Sequence, residues 1–467
     1  MTDGALAKIW NKAYEEVPET LKKIKGIRTA ATAFNTNIDA VLKISGRQLG
    51  KLIQERHMSL ADLENIKESK LNAPEDVLRG IFKCFRSGIA EEWLTEDKQV
   101  YQWMVENLKY ERLQMGGQGG IVANVLAVAG VQKVYAHANS LPKLQAQQFL
   151  ALENLVSFDE KGREKPAYLI DRQADLPLIH WIIEFAKGEE VTVDGCCFVC
   201  PKDNRFIATY DPLNLKLSMD KSFLQALDAQ ALDYVILSGY HALTAENSGV
   251  ALTEASWEVI RSWKEKNPQG LIHLEIASTQ DLKVRRAVVE KIAPRVDSVG
   301  LNERETIDVL RVIDEERLAD DCEKKPDSVN LFRALLAIKG KVKTPRMQLH
   351  MFGLYLTLQN QNFPVSPEAN RRGMMLAATV AAGKAGSGDL NRAENLLWAA
   401  GHPVADAGLK ELSALAEYLG KPELAESGIC TVEEFSLICV PTIIIDKPKT
   451  LVGMGDTISS MSLIGAR

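Results

Sequence analysis

Tyr234-Val-Ile-Leu-Ser-Gly239, Leu271-Ile-His-Leu-Glu-Ile276 and Val296-Asp-Ser-Val-Gly300 decide the fold class. Each is a short apolar run closed by polar or glycine residues, with helical periodicity between one run and the next. Leu437-Ile-Cys-Val-Pro-Thr-Ile-Ile-Ile445 repeats the texture near the C-terminus. Apolar strands alternating with helices predict an α/β fold with a mainly parallel sheet between helices. Ligands then belong at the carboxyl ends of the strands. Upstream the texture differs. Residues 1–30 read as an amphipathic helical entry, and 47–112 as mostly polar helices. Residues 165–215 read as short strands with turn signals (Tyr168-Leu-Ile, Ile179–Phe185, Glu190–Val193, Cys196–Cys200, Arg205–Tyr210), which suggests a small β-rich lid.

The 467 residues are 46% hydrophobic and 25% charged, an ordinary globular composition that excludes disordered and fibrous classes. A net charge of -6 lacks the basic surplus of a protein that lives on phosphate backbones, so no nucleic-acid partner is expected. No apolar run approaches the ~20 residues of a membrane span, and the first residues do not form a secretion signal. The expectation is a cytoplasmic protein without a membrane partner. The seven cysteines read as reduced thiols. Cys197-Phe-Val-Cys200 has the spacing of a redox or zinc knuckle, but no second pair completes a site, and the segment reads better as a strand.

Three kinds of segment carry chemistry. In Thr32-Ala-Phe-Asn-Thr-Asn-Ile-Asp-Ala-Val-Leu42, Asn35, Asn37 and Asp39 alternate with apolar neighbours, a strand with one hydrogen-bonding face. Thr450-Leu-Val-Gly-Met-Gly-Asp456 offers Gly453 and Gly455 for close backbone approach. A helix opening near Asp456 would set unpaired amides beside a carboxylate, which suits phosphoryl transfer. Gly386-Ser-Gly-Asp389 has the same spelling but follows an Ala-rich helix, so Asp389 reads as a helix cap. Acidic residues stand at strand ends in His273-Leu-Glu275 and Asn302-Glu-Arg-Glu305, where carboxylates can hold Mg²⁺. No Walker A, dinucleotide fingerprint, zinc-protease helix or nucleophile elbow is present.

Taken in order, Asn35-Thr-Asn-Ile-Asp39, Gly116-Gly-Gln118, His273-Leu-Glu275, Asn302-Glu-Arg-Glu305 and Gly453-Met-Gly-Asp456 resemble the ADP-dependent sugar kinases of archaea, a ribokinase-like branch comprising phosphofructokinases, glucokinases and bifunctional enzymes. The resemblance spans almost the whole chain. It implies a large ribokinase-like α/β domain (1–41, 115–165 and 213–467) and a discontinuous small lid domain (42–114 and 166–212). It implies Mg²⁺-dependent transfer of the β-phosphoryl of ADP to a hexose hydroxyl, with fructose 6-phosphate or glucose as acceptor and AMP as product. Asp456 becomes the catalytic base, with Gly453 and Gly455 in the anion hole. Asn35, Asn37, Asp39, Gly117, Gln118 and the lid residue His180 fall where the family reads the sugar. Of the Glu91-Glu92 doublet, Glu91 is preferred as the carboxylate that glucose-using members carry. Arg205, Asn302, Val440 and Gly455 serve the nucleotide, and Glu275 and Glu305 the metal. Lys165, Arg172, Lys187 and Lys202 are the lid cations available to a sugar phosphate. The expected assembly is a monomer or weak homo-oligomer. The rivals are an ATP-dependent ribokinase-like carbohydrate or nucleoside kinase and a catalytically silent sugar-binding regulator.

Overall fold

The computed structural model describes residues 3–277 and 281–467. Two sheets organise it, each with its own apolar core.

The larger sheet has eleven strands. Seven of them, from Leu155–Phe158 through Lys133–Ala136, Thr29–Ala33, Tyr234–Leu237, Leu271–Glu275 and Ser298–Asn302 to Arg346–Met351, run parallel. Leu354–Asn360, Phe435–Pro441 and Ile429–Val432 extend one edge antiparallel, and Glu164–Pro166 the other. The parallel strands are buried along almost their whole length, as expected where helices cover both faces. The fold class read from the sequence, an α/β layout with a mainly parallel sheet between helices beside a smaller α/β unit, is thus the one observed. Thr29–Ala33 lies between Lys133–Ala136 and Tyr234–Leu237, so the chain winds away from it in both directions. That topological switch point opens a crevice at the strand ends, and Asn35 follows directly.

The smaller sheet has the order Glu91–Thr95, Asn204–Tyr210, Ile179–Phe185, Asn37–Lys43, Arg112–Gly116. Helices Gly46–Glu55, Pro74–Ser87 and Lys98–Asn107 cover one face, where Ile38, Ala40, Trp181, Ile183, Phe206, Ala208 and Trp93 form the second core. Register places Asp39, Val41 and Lys43, Gln114 and Arg112, His180 and Glu184, Thr209 and Arg205, and Glu92 on the opposite face, with Asn37, Gly116, Ile182, Ile207 and Leu94 among them.

The strand expected over Thr32–Leu42 is two strands in two sheets, with Phe34-Asn-Thr36 crossing between them. The anticipated domain boundaries at 41/42 and 114/115 therefore cut through Asn37–Lys43 and Arg112–Gly116, which lie wholly in the smaller sheet. Ala167 and Ile170 pack in the main core, so the chain rejoins the smaller sheet only at Ile179, and Tyr168-Leu-Ile is a 3₁₀ turn rather than a strand. Glu91–Thr95 is a strand inside the region read as helical. Cys196–Val199 forms a hairpin strand, and every cysteine is a free thiol. No described helix is long and apolar enough to cross a membrane.

Candidate active site

Helix Met454–Ile464 starts at the crevice, after Gly453 in the left-handed conformation at φ +63°. A side chain there would meet Ile121 at 2.8 Å and Lys384 Nζ at 3.1 Å, and one on Gly455 would stand 3.0 Å from His350 Nε2. Both glycines are therefore demanded by close approach. The first turn of a helix has no internal partners for its N–H groups, so the amides after Gly453 are free to hold an anion. Asp456 sits in that turn, 9% exposed, and Gln118 Nε2 donates to its Oδ1 at 2.6 Å. Burial raises its pKa, while Gln118 and the charge of Lys384 act the other way. Asp389 differs in every respect. It is exposed, accepts from Asn391 N and Asn395 Nδ2, and leaves the end of helix Pro367–Ser387 to Gly388 at φ +95°.

Opposite Asp456 lie the amides and carboxylates of the crossover. Asn37 Nδ2 donates to Asp39 Oδ1 at 3.1 Å, and Asn37 Oδ1 is buried without a partner among the described residues. Gly116 makes room for this pair, since a Cβ there would stand 2.2 Å from Asp39 Oδ1. Gly117, at φ +72°, lets helix Gln118–Ala129 begin against the carbonyl of Asn35, which accepts from Gly119 N. Gln118 itself reaches Asp456 and accepts from Gly239 N, so it positions the carboxylate.

His180 Nε2 lies 3.1 Å from Asp211 Oδ2, and its Nδ1 lies 3.8 Å from Glu92 Oε1. Burial pulls the imidazole pKa down, but Asp211, Glu92 and Asp39 outweigh it and bring it to about 9. Asn214 Nδ2 donates to Asp211 Oδ2 at 2.7 Å and to Asn35 Oδ1 at 3.0 Å, tying the smaller sheet to the crossover. The raised pKa implies that folding is favoured most below pH ~6.5, where His also binds its proton in the unfolded chain, and that this gain disappears as pH rises through about 9. His180→Gln is accordingly expected to lower the melting temperature relative to the parent at pH 6 and hardly at pH 9.5. Equal lowering at both would show that His180 is held neutral.

The doublet resolves by strand alternation. Glu91 pairs with Lys83 at 2.7 Å and accepts from Trp93 Nε1 on the helix-covered face. Glu92 accepts from Thr209 Oγ1 at 2.6 Å on the open face beside His180. Glu92, not the expected Glu91, therefore faces the crevice. The expected lid cations are corrected too. Lys165 pairs with Asp159, and Arg172 is buried against Phe158 O and Asp220, while Lys187 and Lys202 lie on turns. The open face carries Lys43, Arg112 and Arg205 instead, and none of these three makes an ion pair among the described residues.

Beneath the anion-binding turn lie Glu275 and Glu305. Burial, then each other's and Asp456's charge, raises the pKa of Glu275; burial raises Glu305, whose capping bond with Asn302 N–H opposes it. Asn302 is the N-cap of helix Glu303–Val312, accepting from Glu305 N at 2.9 Å. A chain of donors fixes Glu275. Buried Arg346 donates to Ser298 Oγ at 2.8 Å, Ser298 bonds His273 Nδ1 at 2.9 Å, and His273 Nε2 lies 3.2 Å from Glu275 Oε2. Among the described residues no cluster of three His, Cys, Asp or Glu side chains forms a complete metal cage. Val440 is 0% exposed within the main core, so its side chain has no surface to offer a nucleotide.

Sequence reasoning passed over Lys384, Asp211, Asn214, Gln114 and His350. Asp211 and Asn214 follow a strand end, the signal that located Glu275. Lys384 is a lone charge inside an apolar helical stretch.

Fold and site together define an α/β protein in which a glycine-opened helix start carrying Asp456 faces the polar residues Asn35, Asn37 and Asp39 across a crevice between the two sheets. The family model described as "ADP-specific Phosphofructokinase/Glucokinase conserved region" matches residues 28–465. An ADP-specific phosphofructokinase of Methanosarcina acetivorans is 29% identical, with 97% of this chain and 95% of that protein covered. An ADP-dependent glucose/glucosamine kinase of Pyrococcus abyssi is 31% identical over 98% and 97%. The solved structure of the last common ancestor of ADP-dependent phosphofructokinases from Methanosarcinales superposes with a TM-score of 0.86 at 31% identity, covering 100% and 99%. An ADP-dependent kinase in complex with fructose-6-phosphate and ADPβS gives 0.80 at 30%, covering 100% and 98%. The chain belongs to the ADP-specific phosphofructokinase/glucokinase family.

Proposed function

We propose that this protein is a hexose kinase that moves the β-phosphoryl group of ADP to a sugar hydroxyl and releases AMP. The observation that carries the reading is the 2.6 Å bond from Gln118 to Asp456, which joins the hydroxyl-reading crossover to the anion-binding helix start. In the proposed step Asp456 takes the proton of the attacking hydroxyl. That oxygen bonds phosphorus, the bond to the AMP oxygen breaks, and the leaving phosphate keeps the electron pair. The amides after Gly453 hold the charge on the transferred group. Asn35, Asn37, Asp39, Gly117, Glu92 and His180 orient the sugar. Arg205 and Asn302 stand for nucleotide contacts. ADP rather than ATP as donor is supported by the names of the family and its members.

Mg²⁺ fits the chemistry of Glu275 and Glu305. Both carboxylates are buried with raised pKa, and each has one oxygen engaged by His273 or Asn302 and another left over. That donor set suits an ion that keeps several waters and bridges phosphates. Bound there, Mg²⁺ would neutralise charge on the nucleotide phosphates.

Initial rates with ADP or ATP against fructose 6-phosphate and glucose, with Mg²⁺ or EDTA, test the reading. AMP formation only with ADP, a hexose and metal is expected. ADP formation from ATP would favour the ATP-dependent rival, and no product with any pair the silent regulator. Lys43 and Arg112 favour a phosphorylated sugar, while Glu92 and His180 suit free hydroxyls, so fructose 6-phosphate is expected as the better substrate and glucose as the second. Glu92→Ala should then lower kcat/KM for glucose by ~10-fold or more, the size of a lost hydrogen bond to a charged group, and spare or improve fructose 6-phosphate. Equal losses on both sugars would place Glu92 in support of the lid.

A further inference from the structure

Lys384 lies in the last turns of helix Pro367–Ser387, where its neighbours from Met374 onward are apolar or small. Its side chain is 9% exposed. Nζ donates to the carbonyl of Gly453 at 3.3 Å, and this is its only hydrogen-bond partner among the described residues. It forms no ion pair among them. An ammonium has three donors, and burying it against a single long contact to a neutral carbonyl is unfavourable. Burial pulls its pKa down to about 8, with Asp456 and Asp39 opposing. These two carboxylates, the base and the sugar reader, are the charges that act on it.

Pinning Gly453 does not account for a charge. An apolar side chain would fill the same space without desolvating an ion. Lys384 also lines a cavity of about 290 Å³, with Gln114 and Met115 of the smaller sheet and Ile121, Thr450 and Val452 of the larger body. Nζ has donors left over beyond its bond to Gly453 O, and the adjoining turn presents the amides of a helix start, a combination suited to an anion. Nζ lies 3.1 Å from where a Cβ on Gly453 would be, directly over the residue that caps the anion-binding helix.

We propose that Lys384 is a further catalytic residue, whose ammonium contacts a non-bridging oxygen of the phosphoryl group as it passes from nucleotide to sugar. This rests on the kinase reading above. The proton of the sugar hydroxyl goes to Asp456, the new O–P bond replaces the one to AMP, and Lys384 keeps its proton throughout, donating hydrogen bonds. It complements the helix amides, which approach the same group from the other side.

Lys384→Met and Lys384→Arg in the full chain test it. For the methionine variant kcat should fall ~10²-fold or more, as for loss of one donor from an oxyanion hole, with sugar KM within about threefold. Calorimetry without sugar supplies a second readout. ADP affinity should fall ~10-fold and AMP affinity stay put, because only ADP brings the β-phosphoryl group. Lys384→Arg should keep the preference for ADP over AMP. A kcat within threefold of the parent for Lys384→Met, equal loss of ADP and AMP binding, or an arginine variant as impaired as methionine would each overturn the assignment. If the parent itself makes no AMP from ADP and hexose, the kinase reading fails, and the ADP-to-AMP affinity ratio still decides whether Lys384 binds the terminal phosphoryl group.

Discussion

Asp456→Asn is expected to lower kcat at least ~10³-fold while leaving ADP and sugar affinities within a few-fold of the parent. Proton abstraction by a positioned carboxylate contributes ~10²–10⁴ in rate, and asparagine removes it without altering the helix amides. The substitution is also gentle on geometry. The carboxylate accepts from Gln118 Nε2 at 2.6 Å, and an amide oxygen in the same position can still accept from it, more weakly. Turnover is followed by AMP release and binding by calorimetry, so loss of chemistry separates from loss of affinity. Because burial raises the pKa of Asp456, the acid limb of the parent's kcat profile should lie above the ordinary carboxylate range. Asp389→Asn is the control. That carboxylate serves an exposed turn through Asn391 and Asn395, and its loss should leave kcat unchanged. A damaging Asp389→Asn beside a tolerant Asp456→Asn would mean that the other Gly-x-Gly-Asp carries the chemistry.

The two copies of that motif show what was legible. Both are spelled Gly-x-Gly-Asp, and only context separates them. Gly453–Asp456 opens a helix after an apolar strand, whereas Gly386–Asp389 closes one. Context of that kind is local, so sequence carries it. The parallel sheet was readable for the same reason, since buried strands are continuous apolar runs. What sequence lacked was register. Whether Glu91 or Glu92 faces the crevice depends on a one-residue phase in a strand that neighbouring helical patterns concealed, and a one-residue slip exchanges the two faces. Thr32–Leu42 was read as a single strand because its polar alternation runs straight through the point where the chain leaves one sheet for the other. Val440 shows another limit: it was given to the nucleotide by resemblance, while its side chain is a core residue. Lys384 and the Asp211–Asn214 pair needed contacts across 69 residues or more of chain, or between two sheets, to acquire meaning.

Asp39→Ala should produce the second largest effect, a fall of ~10²–10³ in kcat/KM for any accepted hexose, expressed chiefly in KM, with ADP affinity preserved. Asp39 is 7% exposed on the open face of the smaller sheet, and Asn37 Nδ2 donates to it at 3.1 Å. Burial raises its pKa, while the charge of His180 and the bonds from Asn37 and Gln114 hold it down. A carboxylate so placed is preorganised to accept from sugar hydroxyls. Each hydrogen bond to a charged group contributes about 1.5–3 kcal/mol, so losing one or two covers the stated range. Gly116→Ala approaches the same point from the neighbouring strand. Its new methyl would meet Asp39 Oδ1 at 2.2 Å and must displace the carboxylate, so sugar affinity should weaken in that variant as well, although no functional group is removed. Both variants are compared by initial rates over a range of sugar concentrations and by ADP calorimetry. If kcat fell while sugar KM stayed constant in both, Asp39 would act on the chemical step, and the hydroxyl-reading role would pass to Asn35, Asn37, Gly117, Glu92 and His180.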